Sequence, residues 1–261
     1  MDAKFHQKKK GMIRMIKGFI LFSAVALFAA IDPPAFAVTP VSPIIWNGPV
    51  TISGDPNVST DGTLVAAFNM NGNAVTVNGV NFAAFNFTTL STSATNGNFT
   101  FTESPGHLLT LSGIGSANSP FSNLSANYQT LLSSAISTDE NNTLTLTMSG
   151  LVAGQQYQFQ WWLNVSNTGS AGGFGTTATA TNSVTLDDNT TNANGGVGQF
   201  VIGTFTAAGP TQIIAFSGIN STNSPTVDAF QLRAVPEPAT ATSLVLGFGL
   251  LGLIARRRLQ R

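Results

Sequence analysis

Three stretches of this chain alternate apolar and polar residues with a period of two, and that rhythm leaves few folds open. "TLTLTMSGL" puts Leu144, Leu146 and Met148 on one side and Thr143, Thr145 and Thr147 on the other. "QYQFQWWLNV" separates Tyr157, Phe159, Trp161 and Leu163 from Gln156, Gln158, Gln160, Trp162 and Asn164. "GNFTFTE" alternates Phe99 and Phe101 with Thr100 and Thr102. Successive side chains of a strand point to opposite faces, so this spacing predicts half-buried antiparallel strands. Further strands are expected at 44–52, 63–68, 74–77, 80–89, 108–112, 183–186, 198–206, 211–217 and 226–233. Asn78-Gly79, Ser112-Gly113, Ser149-Gly150, Ala153-Gly154 and Ala208-Gly209-Pro210 supply the turns between them.

One segment departs from the rhythm. Leu124, Tyr128, Leu131, Leu132 and Ile136 recur at helical intervals, which predicts a short helix over 124–136. Residues 167–182, "NTGSAGGFGTTATATN", read as a loop. No Pro/Ser/Gly-rich linker divides residues 38–234, so one domain is expected there. Many short strands and one helix predict an all-β fold: an antiparallel two-sheet sandwich, jelly-roll-like.

Charge is distributed unevenly. Residues 38–233 carry one basic side chain, Arg233, against eight acids: Asp55, Asp61, Glu103, Asp139, Glu140, Asp187, Asp188 and Asp228. A body without lysine cannot make the phosphate contacts that nucleic-acid binding needs, so no nucleic-acid partner is expected. The chain has no cysteine, which excludes disulfides and thiolate metal sites.

The other ten basic residues lie at the two ends. Six precede an apolar run from Gly18 to Ala30, and "AFA" follows, with small residues at Ala35 and Ala37. This is the layout of a secretory signal helix over 1–37, cut by signal peptidase after Ala37. At the far end, Ala239–Ala255 is a predominantly apolar run near the minimum length for a transmembrane helix. Arg256, Arg257 and Arg258 follow at once and hold that end on the cytoplasmic side.

The end segment, 235–261, resembles the PEP-CTERM sorting signal: Pro236-Glu237-Pro238, a glycine-interrupted apolar helix, then an arginine cluster. The resemblance implies recognition at Pro236, Glu237 and Pro238 and processing by an exosortase. It also implies a Gram-negative bacterium, with the inner membrane as an intermediate and the cell surface or exopolysaccharide matrix as the destination. "VNGVNFAAF", "LTMSGLVAGQQYQFQWWLNVS" and "VDAFQLR" resemble an exported β-sandwich module akin to galactose-binding-like and carbohydrate-binding jelly rolls.

Catalytic residue types are sparse. His107 is the body's one histidine, and "SGIGS" at 112–116 lacks the central serine of a nucleophile elbow. No carboxylate pair sits in a glycosidase pattern. The expectation is a non-enzymatic structural or adhesive protein. The first alternative is a carbohydrate-binding module for exopolysaccharide, with Trp162 exposed between Gln158, Gln160 and Asn164 as the sugar platform and Trp46 as a second choice. A polysaccharide hydrolase is the second alternative. Asp187 and Asp188 form the densest oxygen-donor cluster, although without the spacing of an EF-hand loop. By resemblance to jelly rolls that hold a structural calcium near their terminal strands, Asp228 is a further candidate ligand.

Overall fold

A computed structural model describes residues 41–103, 105–167 and 175–236. The expected signal helix with Ala35 and Ala37, and the tail with Glu237, Pro238, Arg256, Arg257 and Arg258, lie outside the described residues. In chain order the strands are β1 (Ile45–Trp46), β2 (Val50–Thr51), β3 (Thr63–Met70), β4 (Val75–Val77), β5 (Val80–Phe85) and β6 (Ser93–Asn96). Next come β7 (Phe99–Glu103), β8 (Leu108–Ser112), helix α1 (Ala126–Leu131), β9 (Ser134–Thr138), β10 (Thr143–Met148) and β11 (Gln156–Leu163). The chain continues through β12 (Gly175–Ala180), β13 (Asn182–Asp187), β14 (Gln199–Thr206), β15 (Gln212–Gly218), β16 (Thr226–Val227) and β17 (Ala229–Val235).

Two large sheets face each other, so the fold is all-β and sandwich-like. The eight-stranded sheet runs β1-β14-β11-β17-β3-β5-β4, with β2 also on β14. The six-stranded sheet runs β13-β12-β15-β10-β7-β6, and a small sheet, β16-β9-β8, stands beside them. Pairing is antiparallel except between β3 and β5. The alternating residues build the core between the large sheets: Phe99, Phe101, Leu144, Leu146, Met148, Phe159, Trp161 and Phe230 are all buried there. Phe230 lies at the centre of the aromatic packing, with ring centroids 5.4 to 5.8 Å from Phe68, Phe99, Phe101 and Phe159.

The structure revises several expectations. The strand expected at 44–52 is two short pieces around Gly48, whose φ of +87° suits glycine and breaks the extended chain. The helix is only Ala126–Leu131, capped by Ser125 Oγ, which accepts from the Tyr128 N–H. Ile136 belongs to β9, because helical spacing is shared by a short helix followed directly by a buried strand. The segment read as a loop at 167–182 contains β12, where "GTTATA" pairs with β13 and β15 on both sides.

A larger revision concerns the outer face of the eight-stranded sheet. A second core covers it, built from Phe82, Phe121, Leu124, Tyr128, Leu131, Leu132, Phe200 and Trp162. α1 and the loops around it thus cover this face, against the β4–β5 edge of the sheet, and β11 is buried on both faces.

Candidate functional site

Trp162 does not present a sugar platform. Alternation places it opposite Trp161, as expected, yet it is fully buried. Its Nε1 donates to the Tyr128 hydroxyl at 2.8 Å. Phe82 meets the ring edge-on at 5.6 Å, and Phe200 stacks at 6.3 Å. Gln158, Gln160 and Asn164, expected to face solvent beside it, are buried too. Gln160 accepts from the Ser59 N–H and donates to the Asn57 carbonyl. Asn164 donates to the Leu132 carbonyl and accepts from Gly198 N–H and Ser166 Oγ. Gln160 and Asn164 thus satisfy the backbone of covering loops, as buried amides usually do, whereas Gln158 Oε1 is buried without a hydrogen-bond partner. Trp46, half-buried at the sheet edge, donates to the Asn182 carbonyl at 3.3 Å.

The body's one basic side chain is likewise structural. Arg233 donates to the carbonyls of Thr60, Asp61 and Gly62, and to Gln231 Oε1. Gln231 in turn donates to Gln160 and to the Ser59 carbonyl. This row of side chains latches the 57–62 loop onto β11 and β17. His107 sits 4.0 Å from Asp139, with both side chains half-exposed.

The acidic candidates behave differently from one another. Asp187 ends β13, and its Oδ1 accepts from the Asn189 N–H, closing a turn. Asp188 is turned inward and is 2% exposed. Asp228 is fully buried at the single residue between β16 and β17, where the chain passes from the small sheet to the middle of the eight-stranded one. Its N–H donates to the Trp162 carbonyl, its carbonyl accepts from Met70, and its Oδ1 accepts from the Asn164 N–H. The Asp188 carbonyl accepts from the next residue along, Val165. The end of β11 therefore holds both acids. Oδ1 of Asp188 and Oδ2 of Asp228 are buried without a hydrogen-bond partner.

Electrostatics follows from that burial. Desolvation, then the charge of Asp187, pushes the Asp188 carboxyl up to about 7. Asp228 is raised well above the usual carboxylate range, first by desolvation and then by the charge of Asp188, against the stabilising Asn164 N–H. Asp188 also lines a cavity of about 250 Å³ with Ser137, Glu140, Thr176, Ser224 and Thr226, against Leu109 and Leu111. Sequence reasoning missed those hydroxyls, which carry no local motif. A larger groove of about 540 Å³ along β1 and β14 has no acidic or basic side chain in its lining.

Two solved structures found by comparison are only distantly similar to the chain. One is the crystal structure of plant peptide RALF23 in complex with FER and LLG2, at 14% identity and TM-score 0.37, covering 68% of this chain and 42% of that one. The other comes from work on the promiscuous specificity of carbohydrate-binding modules of the β-sandwich superfamily, at 12% identity and TM-score 0.16, covering 71% and 98%. No curated protein matches the chain. The tail is more specific. β17 runs to Val235 with Pro236 exposed after it, so the central strand passes straight into the proline-flanked segment. Residues 234–258 match the PEP-CTERM protein-sorting motif, so the chain carries the signal of an exported protein processed by an exosortase.

Proposed function

We propose that this is a non-enzymatic structural or adhesive protein of the bacterial cell surface or exopolysaccharide matrix. The observation that carries this reading is the junction between body and sorting motif. The motif begins at residue 234, inside β17, and β17 lies between β11 and β3 in the eight-stranded sheet. A pull on the tail therefore acts along a central strand and loads its pairs with β11, from Gln156↔Val235 to Trp162↔Ala229, together. Shear on many pairs resists forced unfolding better than peeling an edge strand one pair at a time. That suits a tethered body under load.

The test is fractionation of producing cells with and without their exosortase. A processed form in the surface or matrix fraction, dependent on the exosortase, is expected. Recovery of the full-length chain from the cytoplasm alone would overturn the reading.

A second reading, carbohydrate binding, is favoured by the cleft beside Asp188 and not by Trp162. Its volume of about 250 Å³ and its hydroxyl and carboxylate lining suit one sugar ring. Retention on exopolysaccharide that is lost on filling the cleft with Ser224→Trp supports this reading. Unchanged retention removes the cleft from consideration.

A further inference from the structure

The strand that carries the sorting motif leaves the body at an end with few charges and several exposed apolar side chains. Val235 closes β17 opposite Gln156, Gln156 lies opposite Thr206, and Ala234 lies opposite Thr63. The β10–β11 and β14–β15 turns meet there. Gln155 Nε2 donates to the Val235 carbonyl, Gly154 N–H to the Ala207 carbonyl, and Ala208 N–H to Ser42 Oγ. Among the described residues nine large apolar side chains are exposed, and five of them, Val41, Ile45, Leu64, Val65 and Val152, belong to these segments. Ile45 and Val152 are 59% and 64% exposed. The uncharged groove of about 540 Å³ lies in the same place, lined by Val41, Ile45, Gln156 and Thr206. Asp61, two residues before Thr63, is the acid of this end, and Arg233 at the Asp61 carbonyl offsets its charge. The other acids lie elsewhere. Asp228 precedes β17 at its far end, about 23 Å along the strand from Val235. Asp187 and Asp188 are at the far end of β11, Glu103 pairs near the start of β10, and Asp55 accepts from Ser125 at α1.

We infer that this end of the sandwich is a lipid-docking surface, seated on the bilayer that receives the apolar tail. The reach of the chain argues for that occupant. Only residues 236–238 separate the end of β17 from the apolar run Ala239–Ala255. Even fully extended, Val235 and Ala239 are at most roughly 14 Å apart. With the tail in the membrane, as the sorting motif implies, this end of the body is held against the lipid surface. Charge agrees with that placement. Anionic lipid repels carboxylates, and the carboxylates are kept away from this end. Exposed valine, leucine and isoleucine side chains gain by entering the boundary between headgroups and acyl chains.

Docking gives the tethered body one pose. It keeps Pro236, exposed directly after β17, at the lipid surface, so the processing enzyme meets the motif there. The inference rests on the sorting motif and not on the adhesive reading of the body.

The experiment uses the exported chain with its tail intact, purified from cells lacking the exosortase. The chain has no cysteine, so a single fluorophore reports one position. It is placed at Ala153→Cys, exposed at this end, or at Ser221→Cys, exposed beyond β15 at the other. Each form is reconstituted in phosphatidylethanolamine and phosphatidylglycerol vesicles that contain acyl-brominated lipid. Quenching is expected at 153 and not at 221. A second form carries about 20 Gly/Ser residues after Pro238, which lengthens the tether to about 25 Å and removes the forced proximity. Quenching at 153 must survive this insertion. In the extended chain Ile45→Asp should lower the ratio of seated to free bodies about tenfold. Should that variant fail to fold, Val41→Asp replaces it. Co-flotation with vesicles together with quenching that is absent, equal at both positions or lost on extension overturns the docking surface and leaves the tail standing. So does quenching undiminished by the aspartate. A label at 153 shielded from iodide but not quenched by lipid means that a second copy of the chain covers the surface, and this also overturns the inference. A chain that does not co-float at all overturns the membrane tail and the docking surface together.

Discussion

Trp162 Nε1 donates to Tyr128 Oη at 2.8 Å, and this bond ties the middle of the largest sheet to the only α-helix among the described residues. Burial holds the Tyr128 hydroxyl protonated, so it stays an acceptor with its own proton free for a second partner. Tyr128→Phe should cost about 1–3 kcal/mol, because the indole N–H is then buried without an acceptor. Trp162→Ala should cost about 3–5 kcal/mol through the cavity it leaves. Denaturant titration checks both. Weakened sugar retention in Trp162→Ala at unchanged stability would contradict its place in the core.

Arg233 is expected to act on one loop. Arg233→Met keeps the stem but strands the carbonyls of Thr60, Asp61 and Gly62. A loss of about 1–3 kcal/mol is expected, with faster hydrogen exchange in the 57–62 loop and little change in β10 or β15. Uniform acceleration across both sheets would mean that the latch is not local.

β17 must be present for the body to fold. It pairs with β11 on one side and β3 on the other and places Phe230 and Leu232 in the core. A chain ending at Val227 should lose its near-ultraviolet circular dichroism and become protease-sensitive. A chain ending at Pro236 should keep both properties. Folding is therefore completed only once residue 235 has crossed the membrane, close behind the rest of the body.

The acid cluster makes stability depend on pH in an unusual direction. Burial raises the Asp188 carboxyl from 3.8 to about 7, so between these values the folded state binds more protons than the unfolded one. Stability from this group is full below pH ~4 and is lost as pH rises towards ~7. Melting temperatures from pH 4 to 8 should fall across that window, and Asp188→Asn should flatten the fall.

Much of the architecture was legible in the residues. Alternation in "TLTLTM", "FTFTE" and "QYQFQWWL" identifies strands and assigns Phe99, Phe101, Leu146, Phe159 and Trp161 to one core, where the structure has them. The tail is legible for a different reason: a sorting signal is read as a linear segment, so its chemistry lies in consecutive residues. β6 and β12 escaped because "SATN" and "GTTATA" hold few large apolar residues and become strands through their neighbours.

Tertiary structure alone decided what happens to the second face of β11. Period two says that Gln158, Gln160, Trp162 and Asn164 share a side, but not whether that side meets water. The cover comes from far along the chain: Tyr128 lies 34 residues from Trp162, and Asn57 lies 103 from Gln160. The same holds for the acids. Asp187 and Asp188 are adjacent in sequence, yet only Asp188 is buried, and the end of β11 holds it and Asp228, 40 residues further on, through consecutive N–H groups. Periodicity is a property of one strand, while burial belongs to two surfaces, and the second surface here is assembled from segments that no local pattern connects.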